Sequence, residues 1–220
     1  MKTVWFGLAA VVAAPTVAFA PPSGSRSHFE AGACAVEVAT DERIDCGVLV
    51  APEHRRVANS RMIRLPVMIF RSRAETPAAD PVMFLTGGPG NSALSGQRSG
   101  KSNPFLERRD QVLLEPRGTK LAQPALECPQ INLLKLEIAL GAVRVDAAEE
   151  QLVRAAADCR AALTAAGADL NGYNSAEAAD DIEDLRVALG YPQVNLYALS
   201  YGTRLALTMA RRHPASVRSM

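Results

Sequence analysis

The residues best suited to chemistry lie near the C-terminal end of the sequence, around Ser200. An apolar stretch at 194–199 has the length of a buried strand, and after Ser200, Tyr201 and Gly202 the apolar residues recur at helical spacing. A strand, a sharp turn with a serine and a helix together form a nucleophile elbow, which exposes the hydroxyl beside the N–H groups of the helix N-terminus. Gly202 suits such a tight turn. The pattern therefore predicts a catalytic Ser200, while a strand–loop–helix connection with a capping serine is the alternative.

A glycine-rich segment supplies the second feature of a possible acyl-transfer site. The apolar strand predicted at 82–86 is followed by Gly-Gly-Pro-Gly at 87–90. Acyl transfer needs N–H donors for the oxyanion of the tetrahedral intermediate. We expect Tyr201 to give one donor and Gly88 or Gly87 the other, because the proline has no N–H and glycine does not crowd a substrate carbonyl. Without Ser200, a plain Gly/Pro turn would be the preferred interpretation.

Strands and helices alternate along the part of the chain that must position these residues. The first two predicted strands suggest an antiparallel hairpin at a sheet edge, and the clearest helix is expected to be capped by Ser175. The alternation predicts the α/β class, with a mostly parallel sheet covered on both faces. We predict strands at 45–51, 62–70, 82–86, 111–115 and 194–199 and helices at 147–166 and 175–189, and leave the apolar segment 131–140 unassigned.

Composition excludes some classes of function. Of the 220 residues 48% are hydrophobic and 21% charged, as in ordinary globular proteins, and the formal net charge is only +1. The basic residues are dispersed and are not interleaved with aromatic ones, so we expect no nucleic-acid partner. A serine mechanism needs neither a metal nor an organic cofactor, and we expect none.

The N-terminal twenty residues have the pattern of an export signal. Lys2 precedes an apolar run at 4–14 and a small-residue cleavage pattern at 18–20. Cleavage is expected after Ala20 or, because Pro21 is awkward for a protease, after Ala18. The run is too short to span a bilayer, so no stable membrane insertion is expected after cleavage. We predict a secreted or periplasmic protein with a signal at 1–20, a linker at 21–33 and a folded domain from 34 to 220.

All four cysteines follow the predicted signal. An even number of cysteines in an oxidising compartment predicts disulfides, of which three pairings are possible. We favour Cys34 with Cys46 and Cys128 with Cys159, since each pair closes a modest local loop. Four buried free thiols are the alternative, and the spacing matches no zinc site.

Four ordered motifs resemble one family. Residues 87–90 resemble the H-G-G-P-G oxyanion loop of proline iminopeptidases and secreted tripeptidyl aminopeptidases, which belong to the α/β-hydrolase superfamily. Residues 115–119 are similar to their D-x-R-G-x segment, 173–190 to the helix before their nucleophile strand, and 200–203 to their elbow. The placement of Cys128 and Cys159 resembles the secreted branch. The resemblance runs from about Cys34 to the last residue and implies a three-layer αβα hydrolase fold.

The resemblance also implies roles for single residues. Arg117 matches an arginine that holds the loops of the site together, a role suited to a side chain with several fixed donors for backbone carbonyls. Five residues depart from the family pattern without removing a proposed catalytic atom, although Thr86 and Pro116 could reshape the oxyanion loop. The departures are Thr86 for His, Glu115 for Asp, Pro116 for Gln, Lys120 for Gly and Ala198 for the first Gly of the elbow.

The base that should activate Ser200 is missing from the expected place. The superfamily order is Ser, then Asp or Glu, then His, but residues 201–220 contain no carboxylate and only His213. His213 ends a helix that is roughly 20 Å long at about 1.5 Å per residue, so it cannot reach Ser200. His28 and His54 are expected to be solvated polar residues. The sequence thus predicts only the N-terminal half of a hydrolase domain, truncated before the Asp and His and nearly inactive alone.

These observations predict a secreted serine exopeptidase that acts on peptides. It would release residues or short peptides from free N-termini through an acyl-enzyme. The alternatives are a carboxylesterase or lipase on the same fold and a non-catalytic degenerate hydrolase. The sequence cannot decide among them, because substrate specificity depends on a cap and a C-terminal part that are expected outside residues 1–220. The sequence leaves the oligomeric state open.

Overall fold

The computed structural model describes residues 27–142 and 144–220, so the predicted signal and most of the predicted linker lie outside the described residues. Within these described residues, seven strands form one mixed sheet in the order β1-β2-β3-β5-β4-β6-β7. The strands are β1 His28–Ala31, β2 Ile44–Pro52, β3 Met62–Phe70, β4 Val82–Leu85, β5 Gln111–Leu114, β6 Val194–Ala198 and β7 Val217–Ser219.

The strand directions divide the sheet into two parts. β1, β2 and β3 form an antiparallel meander, and β3 is also antiparallel to β5. β5, β4, β6 and β7 run parallel to one another. Because parallel strands end at the same edge of a sheet, the segments that follow β4, β5 and β6 meet there. The parallel part is therefore the part that positions the candidate site, and the α/β class predicted from the sequence is confirmed.

The helices are α1 Pro129–Ala139, α2 Val145–Ala165, α3 Ser175–Ala188 and α4 Tyr201–Arg212. α3 and α4 cover one face of the sheet, where Ala179, Ile182 and Leu185 of α3 are buried and Leu189, which follows α3, is partly buried. The facing strand residues include Leu65, Val112 and Leu196. Burial of such apolar surface stabilises the layer by roughly 25 cal/mol per Å².

The opposite face of the sheet packs against chain that follows β4. Met68, Phe70 and Leu113 form a second apolar cluster with Leu94 and Leu106 of this segment. A short 3₁₀ turn, Pro104–Glu107, contributes to this cover. Alternate residues of β3 and β5 thus face two different clusters, as the two-residue period of a strand requires.

Two sequence-based assignments need correction, and one segment that was left open can be assigned. His28–Ala31, within the predicted linker at 21–33, forms edge strand β1, which is too short to show a hydrophobic alternation. The unassigned segment 131–140 lies largely within α1, which begins at Pro129. The cap of α3 is Asn174 rather than Ser175, because the Asn174 side chain accepts from the N–H groups of Ala176 and Glu177.

Two disulfides join Cys34 to Cys46 and Cys128 to Cys159, the pairing favoured from the loop lengths. The first links the segment after β1 to β2, and the second links the residue before α1 to α2. Within residues 27–142 and 144–220, every helix is too short or too polar to cross a membrane.

Candidate active site

Ser200 lies in the turn between β6 and α4 and has an unusual backbone conformation. Its φ is 52° and its ψ is −121°, and in the described part of the chain only Asn59 shares a positive φ among residues other than glycine. Such a conformation costs about 1–3 kcal/mol and persists only where the surroundings enforce it. Here the N–H of Gly202 donates to the Leu199 carbonyl at 2.8 Å and that of Thr203 donates to the Ser200 carbonyl at 2.9 Å. The sharp turn required for a nucleophile elbow is therefore present.

Gly202 allows α4 to pass close to the end of β4. A Cβ at this position would overlap the Leu85 carbonyl oxygen and lie 2.9 Å from the Thr86 carbonyl oxygen. In the sequence, the glycine at position 202 was explained by the tight turn alone. The structure shows that the backbone at the end of β4 also occupies the space that a side chain would need. This approach brings the chain that follows β4 beside Ser200.

Residues 86–90, named here the glycine loop, contact Ser200 through Gly87. A Cβ on Gly87 would lie 3.0 Å from the Ser200 Cβ and 3.6 Å from its Oγ. Gly88 has a φ of 111°, a region that side chains disfavour, and a Cβ there would lie 2.8 Å from the N of Gly90. The structure thus brings together Ser200, Tyr201 and the glycine loop. The roles of Gly87, Gly88 and Tyr201 as oxyanion donors remain predictions.

Glu115 joins Ser92 and Ala93, which follow the glycine loop, to residues 115–121, named here the β5 loop. Its fully buried carboxylate accepts through Oε2 from the Ser92 hydroxyl at 2.8 Å and the Ala93 N–H at 3.0 Å. Through Oε1 it accepts from the Thr119 hydroxyl at 2.7 Å and the Leu121 N–H at 3.2 Å. A buried carboxylate must be satisfied in this way, and the bonds hold the segment that follows the glycine loop beside the β5 loop.

Arg117 extends from the β5 loop into the protein and is buried. Its guanidinium donates to both carboxylate oxygens of Asp181 in α3, at 2.7 and 2.6 Å, and to the carbonyls of Gly172 and Glu53. These bonds fit the structural role expected of Arg117. Sequence reasoning missed its partner Asp181, whose distance along the chain hides the pairing.

Arg55 completes an ion cluster that we define as Arg55, Arg117, Glu177 and Asp181. Arg55 donates to Glu177 at 2.7 Å and to Asp181 at 2.7 Å, and also reaches Asp184 at 2.6 Å. Burial lowers the pKa of Arg55, but the charges of Asp181 and Asp184 outweigh it and raise the pKa above its usual value. The ion cluster fixes the first turns of α3. In the sequence, the ion cluster is indicated by the acidic residues in the first turns of α3. Because this helix packs against the sheet, buried carboxylates there require a positively charged partner.

An apolar cavity of about 170 Å³ lies among the glycine loop, the β5 loop and the first turns of α3 and α4. The Tyr201 ring forms one wall, and the hydroxyls of Tyr201 and Ser175 are hydrogen-bonded at 2.8 Å. Since Asn174 caps α3, the Ser175 hydroxyl is left for this contact. The apolar lining includes Phe84, Leu114, Leu126, Ala178, Ile182 and Leu205.

The three histidines have partners away from the elbow. His213 is the C-cap of α4, at the opposite end from Ser200, and lies 2.8 Å from Asp180. Burial raises the pKa of Asp180, but hydrogen bonds from Arg212 and His213 outweigh it and lower the pKa. His54 is mostly buried and lies 2.7 Å from Asp169, which corrects the expectation that it is solvated, whereas His28 is half-exposed beside Glu30. Across the described residues, no group of three potential ligands could hold a metal.

The fold and the elbow agree with the comparison to known families. A family model described as the alpha/beta hydrolase fold matches residues 80–220, and the chain belongs to this family. Among curated proteins it is 30% identical to YuaR of Escherichia coli K12, a hydrolase by name, over 80% of this chain and 32% of that protein. It is 26% identical to the tripeptidyl aminopeptidase of Streptomyces lividans, over 92% of this chain and 39% of the relative.

Solved structures show a more distant similarity. The proline iminopeptidase of Mycobacterium smegmatis aligns over 70% of this chain and 38% of its own, with 14% identity and a TM-score of 0.41. Cfl2 of Burkholderia cenocepacia aligns over 83% and 42%, with 12% identity and a TM-score of 0.44. The chain thus spans 32 to 39% of the length of the curated relatives that it matches.

Proposed function

We propose that Ser200 is the nucleophile of an exported serine exopeptidase that acts through an acyl-enzyme. The observation that carries the proposal is the positive φ of Ser200 in a turn whose serine contacts Gly87 of the glycine loop. A strained serine beside a loop built from glycine suits nucleophilic attack on a carbonyl carbon and stabilisation of the resulting oxyanion. The aminopeptidase relatives and the motifs at 87–90 and 115–119 favour a peptide substrate. The two disulfides and the pattern at 1–20 favour export.

In the proposed reaction, Ser200 Oγ attacks the carbonyl carbon of the scissile amide while a base takes the hydroxyl proton. The N–H groups of Tyr201 and of Gly88 or Gly87 donate to the oxyanion. The intermediate then collapses, the C–N bond breaks, and the amine leaves with the proton from the base. Water, deprotonated by the same base, hydrolyses the ester and restores Ser200.

We further propose that the base and its carboxylate partner come from chain outside residues 1–220. The known order in this fold places both after the nucleophile, and His213 is held at the far end of α4. The 220 residues alone should therefore turn over substrate near the uncatalysed rate, because a serine hydroxyl without a base is a poor nucleophile.

The test uses the product of the complete reading frame that encodes these residues. We expect a fluorophosphonate to label Ser200 and aminoacyl or tripeptidyl arylamides to be cleaved from a free N-terminus. Ser200→Ala should lose labelling and lower kcat by about 10³-fold or more. The matched control is Ser102→Ala, at an exposed serine, which should keep full activity.

Other results would overturn the proposal or part of it. Turnover that survives Ser200→Ala would exclude Ser200 as the nucleophile. A strong preference for short-chain esters over arylamides would instead indicate a carboxylesterase. A folded product with neither labelling nor turnover would indicate a non-catalytic hydrolase relative.

A further inference from the structure

The two helices beside the elbow are joined by a hydrogen bond between their first residues. Tyr201 begins α4 directly after Ser200, Ser175 begins α3, and the hydroxyls of Tyr201 and Ser175 lie 2.8 Å apart. We infer that Ser175 is a positioning residue of the reaction. Through the Tyr201 ring it fixes the direction of the Tyr201 N–H, which is proposed to donate to the oxyanion. This inference rests on the proposed function and deepens it.

The Tyr201 N–H is the donor that the elbow leaves unused. The next N–H, that of Gly202, donates to the Leu199 carbonyl, and the N–H of Thr203 donates to the Ser200 carbonyl. In the described part of the chain, no acceptor receives a bond from the Tyr201 N–H. The first N–H groups of a helix have no partner within the helix, so this donor is available to an atom bound beside Ser200.

The direction of this N–H depends on how firmly the first turn of α4 is held. A hydrogen bond weakens steeply as it departs from linearity, and an oxyanion hole acts because its donors are in place before charge develops. The Ser200 side chain makes no capping bond to α4 and so adds no restraint of its own. A contact that holds Tyr201 from another element is therefore expected to affect the rate.

Ser175 is available for this contact because a different residue caps α3. Asn174 accepts from the N–H groups of Ala176 and Glu177, which are the bonds that a capping serine would otherwise make. Among the described residues, the Ser175 hydroxyl has Tyr201 as its single partner. The hydroxyl at this position is thus explained by the contact with α4.

Ser175 can hold Tyr201 in place because the start of α3 is itself fixed. Arg117 of the β5 loop donates to both carboxylate oxygens of Asp181 in α3, at 2.7 and 2.6 Å. Bonds between charged groups are stronger than a bond between two hydroxyls. The β5 loop therefore fixes α3, and α3 fixes the Tyr201 ring through Ser175.

A second contact between α3 and α4 provides a natural control. Arg212 donates to both carboxylate oxygens of Asp180, at 2.9 and 2.6 Å, and His213 lies 2.8 Å from the same carboxylate. This contact also holds the two helices together, but it joins α4 about 16 Å from Tyr201, at roughly 1.5 Å per residue. Its loss would loosen the helices without releasing the Tyr201 ring.

The experiment measures kcat and KM of the complete reading-frame product on an arylamide. Ser175→Ala should lower kcat by about tenfold and change KM little, because the restraint acts on charge that develops only in the transition state. The loss should be smaller than the roughly 10²- to 10³-fold that follows removal of an oxyanion donor, since the Tyr201 N–H is still present. Ser175→Thr keeps a hydroxyl and should restore most of kcat.

The control variant is Arg212→Met, which removes the bonds between Arg212 and Asp180. It should leave kcat unchanged for each Ser200 that a fluorophosphonate labels. Counting labelled sites corrects every variant for protein that has not folded. A purely structural role of Ser175 would lower the number of labelled sites but not kcat for each site.

Two further measurements test the role of the Tyr201 hydroxyl. Tyr201→Phe removes only this hydroxyl and should lower kcat as much as Ser175→Ala does, and the double variant should be no slower than either single one. A peptide aldehyde forms a hemiacetal with Ser200 and places an oxygen at the oxyanion position. It should bind Ser175→Ala more weakly by about the same factor as kcat falls. If Ser175→Ala folds poorly, Tyr201→Phe gives the same test.

The inference and the proposed function fail in different ways. If Ser200 is labelled and arylamides are cleaved, but Ser175→Ala and Tyr201→Phe keep full kcat for each labelled site, Ser175 does not position the donor and the proposed function stands. Equal losses in Ser175→Ala and Arg212→Met would also overturn the inference, because they would indicate a general loosening of α3 against α4. If turnover survives Ser200→Ala, both fail together.

Discussion

The glycine loop and the β5 loop both lie beside the elbow, but they are held in different ways. The glycine loop is partly or fully exposed, and its shape depends on backbone conformations at Gly88 and Gly90 that favour glycine. The β5 loop is held by Glu115 and Arg117, two buried charged residues with several partners each. The charged residues that fix the site thus lie in the β5 loop. The glycine loop can therefore consist mostly of residues with little or no side chain.

The largest expected effect comes from removal of the arginine that holds the β5 loop. Arg117→Met would leave buried carbonyls unpaired and remove the two-pronged bond to Asp181. We expect the free energy of unfolding to fall by about 3–5 kcal/mol, measured by urea denaturation. Arg98→Met, at an exposed ion pair with Glu37, is the control and should have little effect. Equal effects of the two substitutions would show that the buried ion pair of the β5 loop stabilises the fold no more than an exposed pair does.

A smaller effect is expected where the elbow meets the glycine loop. Gly202→Ala places a Cβ against the carbonyl oxygens of Leu85 and Thr86, which are backbone atoms that cannot easily move away. Overpacking of this kind should lower the free energy of unfolding by about 1–3 kcal/mol. Gly32→Ala, where a Cβ meets nothing within 4 Å, is the matched control and should stay near zero. An unchanged stability of Gly202→Ala would show that the contact is looser than described.

The opposite sign is expected at Ser200 itself. Ser200→Gly relieves the positive φ and should raise the free energy of unfolding by about 1 kcal/mol, even though the greater freedom of glycine in the unfolded chain offsets part of the gain. Asn59→Gly, at the other positive φ, should gain less because asparagine tolerates this region. The free energy of unfolding is measured by thermal and urea unfolding. A lower value for Ser200→Gly than for the unchanged chain would show that the backbone at Ser200 is not strained.

The smallest effect concerns pH. At the other end of β5, burial raises the pKa of Asp110, but bonds from the Ser72 N–H, Arg71 and Tyr191 outweigh it and lower the pKa. A carboxyl whose pKa is lower in the folded state stabilises the fold above its usual pKa of 3.8, and this contribution is lost as pH falls further. Urea unfolding should therefore become easier below about pH 4. Asp110→Asn should weaken this pH dependence, and a pH profile identical to that of the unchanged chain would refute it.

The sequence predicts best the elements that local pattern decides. β3 was expected at 62–70 and has those bounds, because seven of its nine residues are large and apolar and turn-forming residues precede it. The sequence also predicted α3, but it placed the N-cap at Ser175 instead of Asn174. Asn and Ser are both favourable N-cap residues, so the pattern could not decide between two adjacent positions. β1 was missed because a strand of four residues gains its stability from pairing with β2, which no local pattern shows.

The site divides in the same way. The turn around Ser200 and the glycine at 202 could be predicted because they are local backbone requirements. The ion cluster could not, because Arg55 and Arg117 lie more than sixty residues from the carboxylates that they bind. A general role for Arg117 followed from the resemblance, but its partner and the involvement of Arg55 depend on the tertiary fold.

The bond between Cys128 and Cys159 has a practical consequence for anyone who handles the protein. It encloses the turn between α1 and α2, where Leu140 is 74% exposed. Proteases cut preferentially at such exposed turns. A cut there would leave two polypeptides that still migrate as one on a gel without reductant and separate only after thiol treatment, so apparent intactness must be judged under reducing conditions.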